Sequence, residues 1–251
     1  MSGEFDGPRT AIVTGGARRI GAALCRALAE DGWHLLIHCL NSRSEAEALA
    51  AELGNASVVA ADLASPACAG EIFAALDGLP PAKLLVNNAS RFSFDSADAF
   101  TPDDWDSHLD TNLRAPALLS RAFAQKAEGG LIVNILDSKL AHPNPDFFSY
   151  TISKVGLAGL TELTARAFAA RRIRVCGIAP SVTLVSGAQS DDNFDAVHRL
   201  NALGRGVKVD QIVAALRFLI ATPTITGQTI TLDGGQRFIG LGRDVQFLEP
   251  Q

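Results

Sequence analysis

Tyr150 and Lys154 stand four positions apart in the run Phe148-Ser149-Tyr150-Thr151-Ile152-Ser153-Lys154, and Asp137 lies thirteen positions before the tyrosine, at the end of an apolar run. On a helix, residues i and i+4 share a face, so the ammonium can lie beside the phenol and lower its pKa by favouring the phenolate. A strand ending at Asp137 would bring a carboxyl to the same cleft. Such a trio can protonate a substrate as hydride arrives from elsewhere. Taken alone, the pattern also suits a surface helix with incidental polar residues, so the elements that must position it carry the argument.

Arg9 to Thr14 reads as a buried parallel strand, and Gly15-Gly16-Ala17-Arg18-Arg19-Ile20-Gly21 leads straight into the helical pattern Ala22-Ala23-Leu24-Cys25-Arg26-Ala27-Leu28-Ala29. Backbone N–H groups at a helix N-terminus lack partners and sit at the positive end of the macrodipole, so a pyrophosphate fits that turn. The three-glycine dinucleotide fingerprint wants glycine where this chain has Arg19. A ligand-free glycine turn remains the plain alternative. Two further strands, Val59-Ala60-Ala61-Asp62-Leu63, read as buried, and Lys83 to Ser90, end in polar side chains. Ligands in open parallel sheets bind beyond the carboxyl ends of strands, so these endings imply one shared cleft.

The remaining pattern alternates strand and helix. Strands are expected near 33–38, 57–61, 83–88, 130–136, 173–179 and 228–232, and helices near 43–53, 66–77, 102–126, 149–170 and 209–221. Such alternation predicts an α/β chain: a single doubly wound parallel-sheet Rossmann domain over residues 1–251, with helices on both faces. Residues 181–203 read as a mobile substrate lid and 236–251 as a C-terminal tail that could pack on a neighbouring subunit.

Thr14 to Gly21, Asp62-Leu63, Asn87-Asn88-Ala89, Asn112, Tyr150-x-x-x-Lys154 and Pro180 together resemble the short-chain dehydrogenase/reductase family, from about residue 9 to Gly235. Arg19, Ser90, Phe92 and Asp137 depart from the general pattern as the pteridine reductases and the related dihydromonapterin and dihydrofolate reductases do. The resemblance implies an NADP(H)-dependent reductase of a pteridine C=N bond, with Tyr150 as proton donor, Lys154 on the nicotinamide ribose, Asp137 in place of the usual serine, and Asn112 supporting a water and the lysine. A buried, self-satisfied amide is an equal reading of Asn112.

The same resemblance places the cofactor against Thr14, Gly15, Arg18, Arg19, Ile20, Gly21, His38, Asn41, Ser42, Asp62, Leu63, Asn88, Ala89, Ser90, Tyr150, Lys154, Pro180 and Thr183. It places substrate against Arg19, Ser90, Phe92, Asp137 and Tyr150. Phe92 would stack on the flat ring, although a phenylalanine just past a strand also serves as a loop anchor. NADP(H) is preferred over NAD(H) because no acid follows the second strand until Glu45, while Arg18 and Arg43 offer positive charge to a phosphate. Both arginines also suit a solvated helix end. A carbonyl reductase of a sugar, steroid or acyl ketone, and a non-catalytic NADPH-binding regulator, are the rival functions.

Composition excludes other classes. The net charge of −5, with arginines dispersed, gives no nucleic-acid footprint. No apolar run is long enough to span a bilayer. The acidic opening Met1 to Asp6 lacks a signal-peptide core, which predicts a cytoplasmic protein. Cys25, Cys39, Cys68 and Cys176 fall singly and read as reduced and structural. His34 and His38 lie on a strand with no ligand set around them, so no metal is expected. A homotetramer is expected by resemblance.

Overall fold

The computed structural model describes residues 5–185 and 189–248. Seven strands form one parallel sheet: β1 (Thr10–Val13), β2 (His34–Cys39), β3 (Ala56–Ala60), β4 (Ala82–Asn87), β5 (Gly130–Ile135), β6 (Ile173–Pro180) and β7 (Thr229–Leu232), in the spatial order β3-β2-β1-β4-β5-β6-β7. The helices are α1 (Arg19–Glu30), α2 (Arg43–Leu53), α3 (Cys68–Ala74), α4 (Pro102–Leu109), α5 (Ala115–Lys126), α6 (Phe148–Phe168), α7 (Asp191–Val197) and α8 (Val209–Ala221). After β3 the chain crosses back past β1 to start β4, so the carboxyl ends of β1 and β4 flank the switch point where such sheets bind ligands.

Strand side chains alternate between two covered faces, which is why the strands read as unbroken apolar runs. Val13, Leu35, Ile37, Val86 and Val133 pack under α1 and α8, through Leu24, Leu28, Ile212 and Leu216. Ile12, Leu36, Leu85 and Ile132 face the other layer, against Ile72 of α3 and Leu119 and Phe123 of α5. Each such side chain, fully buried, stabilises by about 1.5–3 kcal/mol.

Two expectations change. The third strand is an edge of the sheet, so of the run Val59 to Leu63 expected to be buried, Val59 is half-buried and Ala60 exposed, while Ala61 and Leu63 are buried. The single helix expected over 102–126 is two helices joined by a π-turn, Asp110–Arg114. That extra residue re-aims the backbone at Asn112, whose amide is drawn into side-chain bonds described below.

Candidate active site

The glycine turn after β1 is built by contacts that hold it open. Thr14 Oγ1 accepts from the N–H groups of Asn88 (2.9 Å) and Ala89 (3.0 Å), tying the end of β1 to that of β4. Asn88 Nδ2 donates back to the Thr14 and Gly15 carbonyls at 2.9 and 3.2 Å. Gly15 has φ 60°, and a Cβ at Gly21 would collide with the Gly15 carbonyl oxygen. The Arg18 side chain does not cap α1, so the helix's first N–H groups stay available beside bare backbone. This cradle fits a pyrophosphate.

His38 is drawn into the same turn. Gly15 N–H donates to His38 Nδ1 at 3.2 Å, and Nε2 lies 3.0 Å from the Ala61 carbonyl oxygen. Both ring nitrogens are therefore used within the protein, with the proton on Nε2. Burial pushes the imidazole pKa down, so the ring is a neutral brace for the turn. Asp62 caps its own loop, accepting from Ala64 N–H at 2.9 Å. Arg18 and Asn41 are exposed, Ser42 is half-buried, and Arg18 lies 3.7 Å from Glu45.

Arg19 stands where the fingerprint has glycine, and it keeps the glycine conformation, φ 54°. Its guanidinium reaches across the cleft mouth to donate to the Val185 carbonyl at 2.7 Å. A left-handed backbone costs a non-glycine residue about 1–2 kcal/mol. Arg19→Gly should therefore be more stable than the parent by about 0.5–1 kcal/mol after the unfolded-state entropy of glycine is counted, read by urea unfolding. A destabilised variant would mean that the bond to Val185 outweighs the strain.

A cleft of about 550 Å³ lies beyond the strand ends and gathers Arg19, Ile20, Asn88, Ser90, Phe92, Asp137, Tyr150, Lys154, Pro180 and Thr183. Tyr150 Oη donates to Asp137 Oδ2 at 2.7 Å, and Asp137 Oδ1 accepts from Lys139 N–H at 2.8 Å. Lys154 Nζ donates to the Ile135 carbonyl at 2.8 Å and lies 5.7 Å from the tyrosine ring centre. The phenol pKa is not lowered, contrary to expectation. Burial raises it well above its ordinary value, and the charge and hydrogen bond of Asp137 raise it further. Burial also pushes the Lys154 ammonium down to about 8, against the pull of Asp137.

The Asn112 side-chain amide is fully bonded within the protein. Its Oδ1 accepts from Arg91 N–H (2.7 Å) and Ser90 Oγ (3.2 Å), and its Nδ2 donates to the Arg91 carbonyl (2.9 Å) and Ser153 Oγ (3.0 Å). Its contacts bind the Ser90–Arg91 loop to α6, not the lysine. Phe92 turns one face to Phe147 (centroids 4.3 Å, stacked) and meets Tyr150 edge-on at 4.7 Å.

Several residues that sequence reasoning passed over hold this site. The N-cap of α6 is Phe147, at φ 53°, which has no capping oxygen. Asp95 supplies one from a distant loop, accepting from Ser149 N–H at 3.1 Å and from Ser149 Oγ. Ser149 Oγ also meets His108 Nδ1 at 2.6 Å. This buried cap fixes the first turn of the helix that carries Tyr150. The tail's Arg237, Leu241, Arg243 and Asp244 line the cleft of their own chain. Of the expected lid, 181–185 line the cleft and α7 follows, while 186–188 lie outside the described residues, as do 249–251 of the tail.

The profile described as short chain dehydrogenase matches residues 9–195. The chain belongs to that family. Among curated members, D-threitol dehydrogenase of Mycolicibacterium smegmatis is 34% identical, covering 92% of this chain and 94% of its own. A 3-oxoacyl-acyl-carrier-protein reductase of Synechocystis is 29% identical, over 90% and 96%. Among solved structures of the family, FolM alternative dihydrofolate reductase 1 of Brucella suis in complex with NADP superposes with a TM-score of 0.87 at 40% identity, covering 93% of this chain and 96% of its own. The Brucella canis protein gives 0.85 at 38%, over 92% and 94%. As a family member, this chain is an oxidoreductase with a Rossmann-type sheet. Among the described residues no helix is long and apolar enough to cross a membrane, and no cluster of His, Cys, Asp and Glu could hold a metal ion.

Proposed function

We propose that this oxidoreductase is an NADPH-dependent reductase of a pteridine C=N bond, acting on a dihydropterin or dihydrofolate. The observation that carries the reading is the 2.7 Å bond from Tyr150 to Asp137, at the position where the family resemblance implies a serine. A serine hydroxyl suits a ketone oxygen, whereas a carboxyl–phenol pair can hold a proton for a ring nitrogen. The likeness to two FolM dihydrofolate reductases solved with NADP supports the same choice. D-threitol dehydrogenase and oxoacyl reductase among the relatives keep a carbonyl reductase as the rival.

The glycine turn and the N-terminus of α1 would hold the pyrophosphate, Arg18, Ser42 and Arg43 the phosphate on the ribose, and Lys154 the nicotinamide ribose. When bound, NADPH supplies the hydride. The protein must then deliver one proton to the ring nitrogen, and it holds that proton on Tyr150 Oη against Asp137 Oδ2. Phe92 offers an aromatic wall for a flat ring, with Arg19 and Ser90 at its border. Asn112 acts here as a positioning residue. By family resemblance we infer a cytoplasmic homotetramer; the exposed apolar Ile152, Val155 and Leu163 of α6 and Phe218 of α8 would supply subunit contacts, and sedimentation would size the assembly.

NADPH oxidation measured against a panel of dihydropterins and ketones tests the reading; turnover of ketones alone would select the rival, and cofactor binding without turnover a regulator. Arg18→Ala should raise KM for NADPH about tenfold, some 1.4 kcal/mol, with little change for NADH. Equal effects would refute the phosphate assignment. The Lys154 ammonium is lost above about pH 8, so kcat/KM should fall through that pH on its basic side. Lys154→Arg, which stays charged, should move that limb upward. The sign for stability is opposite: from about 8 to the ordinary 10.5 the unfolded chain binds more protons, so this group's contribution grows as pH rises.

A further inference from the structure

Beyond β7 the chain reverses at Gly234 (φ 57°) and Gly235 (φ 80°) and returns over its own cleft. Asp146 clamps the returning segment: its Oδ2 accepts from Arg243 Nε and from Asp244 N–H, each at 2.7 Å. Phe247 packs against Phe94 and Phe147, with centroids 5.0 and 5.9 Å apart. Asn193 of α7 donates to the Leu248 carbonyl at 3.0 Å. These contacts deliver Asp244 to the cleft wall, its side chain 15% exposed.

Two carboxylates therefore border the cleft, and they are not equivalent. Asp137 has one oxygen bonded to Lys139 N–H and the other to Tyr150. Asp244 Oδ1 accepts from Gln246 N–H at 3.2 Å, but Oδ2 meets Lys139 Nζ only at 3.4 Å. That ammonium already donates to the Asp146 carbonyl. Each carboxylate oxygen can accept two bonds, so Asp244 holds acceptor capacity that its own fold leaves weakly used. A largely buried acceptor in that condition costs stability until a donor arrives. Burial accordingly raises its pKa above the ordinary carboxylate range, against the pull of Lys139.

We propose that Asp244 is a specificity-determining residue whose Oδ2 accepts a hydrogen bond from an amino or ring N–H of the substrate. The inference rests on the pteridine reading and narrows it: the chosen heterocycle carries N–H donors on the side facing the C-terminal segment. A ketone without an N–H or O–H donor on that side leaves the buried acceptor unpaired.

The full-length enzyme, Asp244→Asn and Asp244→Ser test this. Asparagine keeps an oxygen for Gln246 N–H and turns an amide donor toward the substrate's own donors; serine keeps a smaller cap. Both should raise KM for a dihydropterin about tenfold, with kcat within about twofold. Calorimetry with NADP bound should show the same loss for a diaminopteridine, and NADPH affinity should not change. An unchanged KM, or an equal loss of NADPH affinity, overturns the proposal. Should the parent reduce no dihydropterin yet bind diaminopteridine in an Asp244-dependent way, the reduction reading falls and this inference stands. A parent that binds no pteridine sinks both.

Discussion

Asp137→Ser should lower kcat/KM for a dihydropterin by about 10²- to 10⁴-fold, the range expected when a general acid–base partner is lost. The serine oxygen cannot share a proton with Tyr150 as a carboxylate does, and it restores the hydroxyl suited to a ketone oxygen. Turnover of ketones should fall much less, or rise. The chain contains one tyrosine, so phenolate absorbance reports Tyr150 alone. The carboxylate raises the phenol's pKa by its charge and by accepting a hydrogen bond from the protonated phenol, so the variant should ionise at lower pH than the parent. An unaltered titration curve would show that the two groups are uncoupled in solution. Unaltered dihydropterin turnover would remove the main support for a pteridine substrate.

Tyr150→Phe should lower kcat by about 10²- to 10⁴-fold for every substrate, pteridine or ketone, because the proton donor itself is gone. NADPH affinity should be nearly unchanged, since the ring remains to pack against Phe92 and the helix cap at Ser149 is untouched. The two variants thus separate a general loss of proton delivery from a loss of substrate choice. If Tyr150→Phe retained most of its turnover, Asp137 alone would have to supply the proton. The second phase of that test is the pH profile, where the limb assigned to Lys154 near 8 should survive in Tyr150→Phe.

Much of the sheet was legible because its strands are buried on both faces. Runs such as Leu84-Leu85-Val86 and Leu131-Ile132-Val133 have no other stable place than between two helical layers. The glycine turn was legible for a related reason: Gly21 admits no side chain, and that demand is local. The outermost strand was misjudged because an apolar run cannot say whether one neighbour or two will cover it. The π-turn at Asp110–Arg114 was invisible because its helical pattern continues unbroken through residues whose partners, Arg91 and Ser153, lie far away in the chain.

What the amino-acid order determined by itself was the set of short-range demands: apolar periodicity, a glycine-rich strand-to-helix turn, and the four-residue spacing of Tyr150 and Lys154. Tertiary structure alone decided the electrostatics. Only folding buries the phenol, sets it against Asp137, and so raises a pKa that the neighbouring lysine was expected to lower. It alone spends both nitrogens of His38 on Gly15 and Ala61, caps α6 with Asp95, and returns Asp244 to its own chain's cleft. The physical reason is common to all four. Burial and hydrogen bonding depend on neighbours brought together across the fold, 23 residues apart for His38 and Gly15 and 54 for Asp95 and Ser149, and no local pattern encodes them.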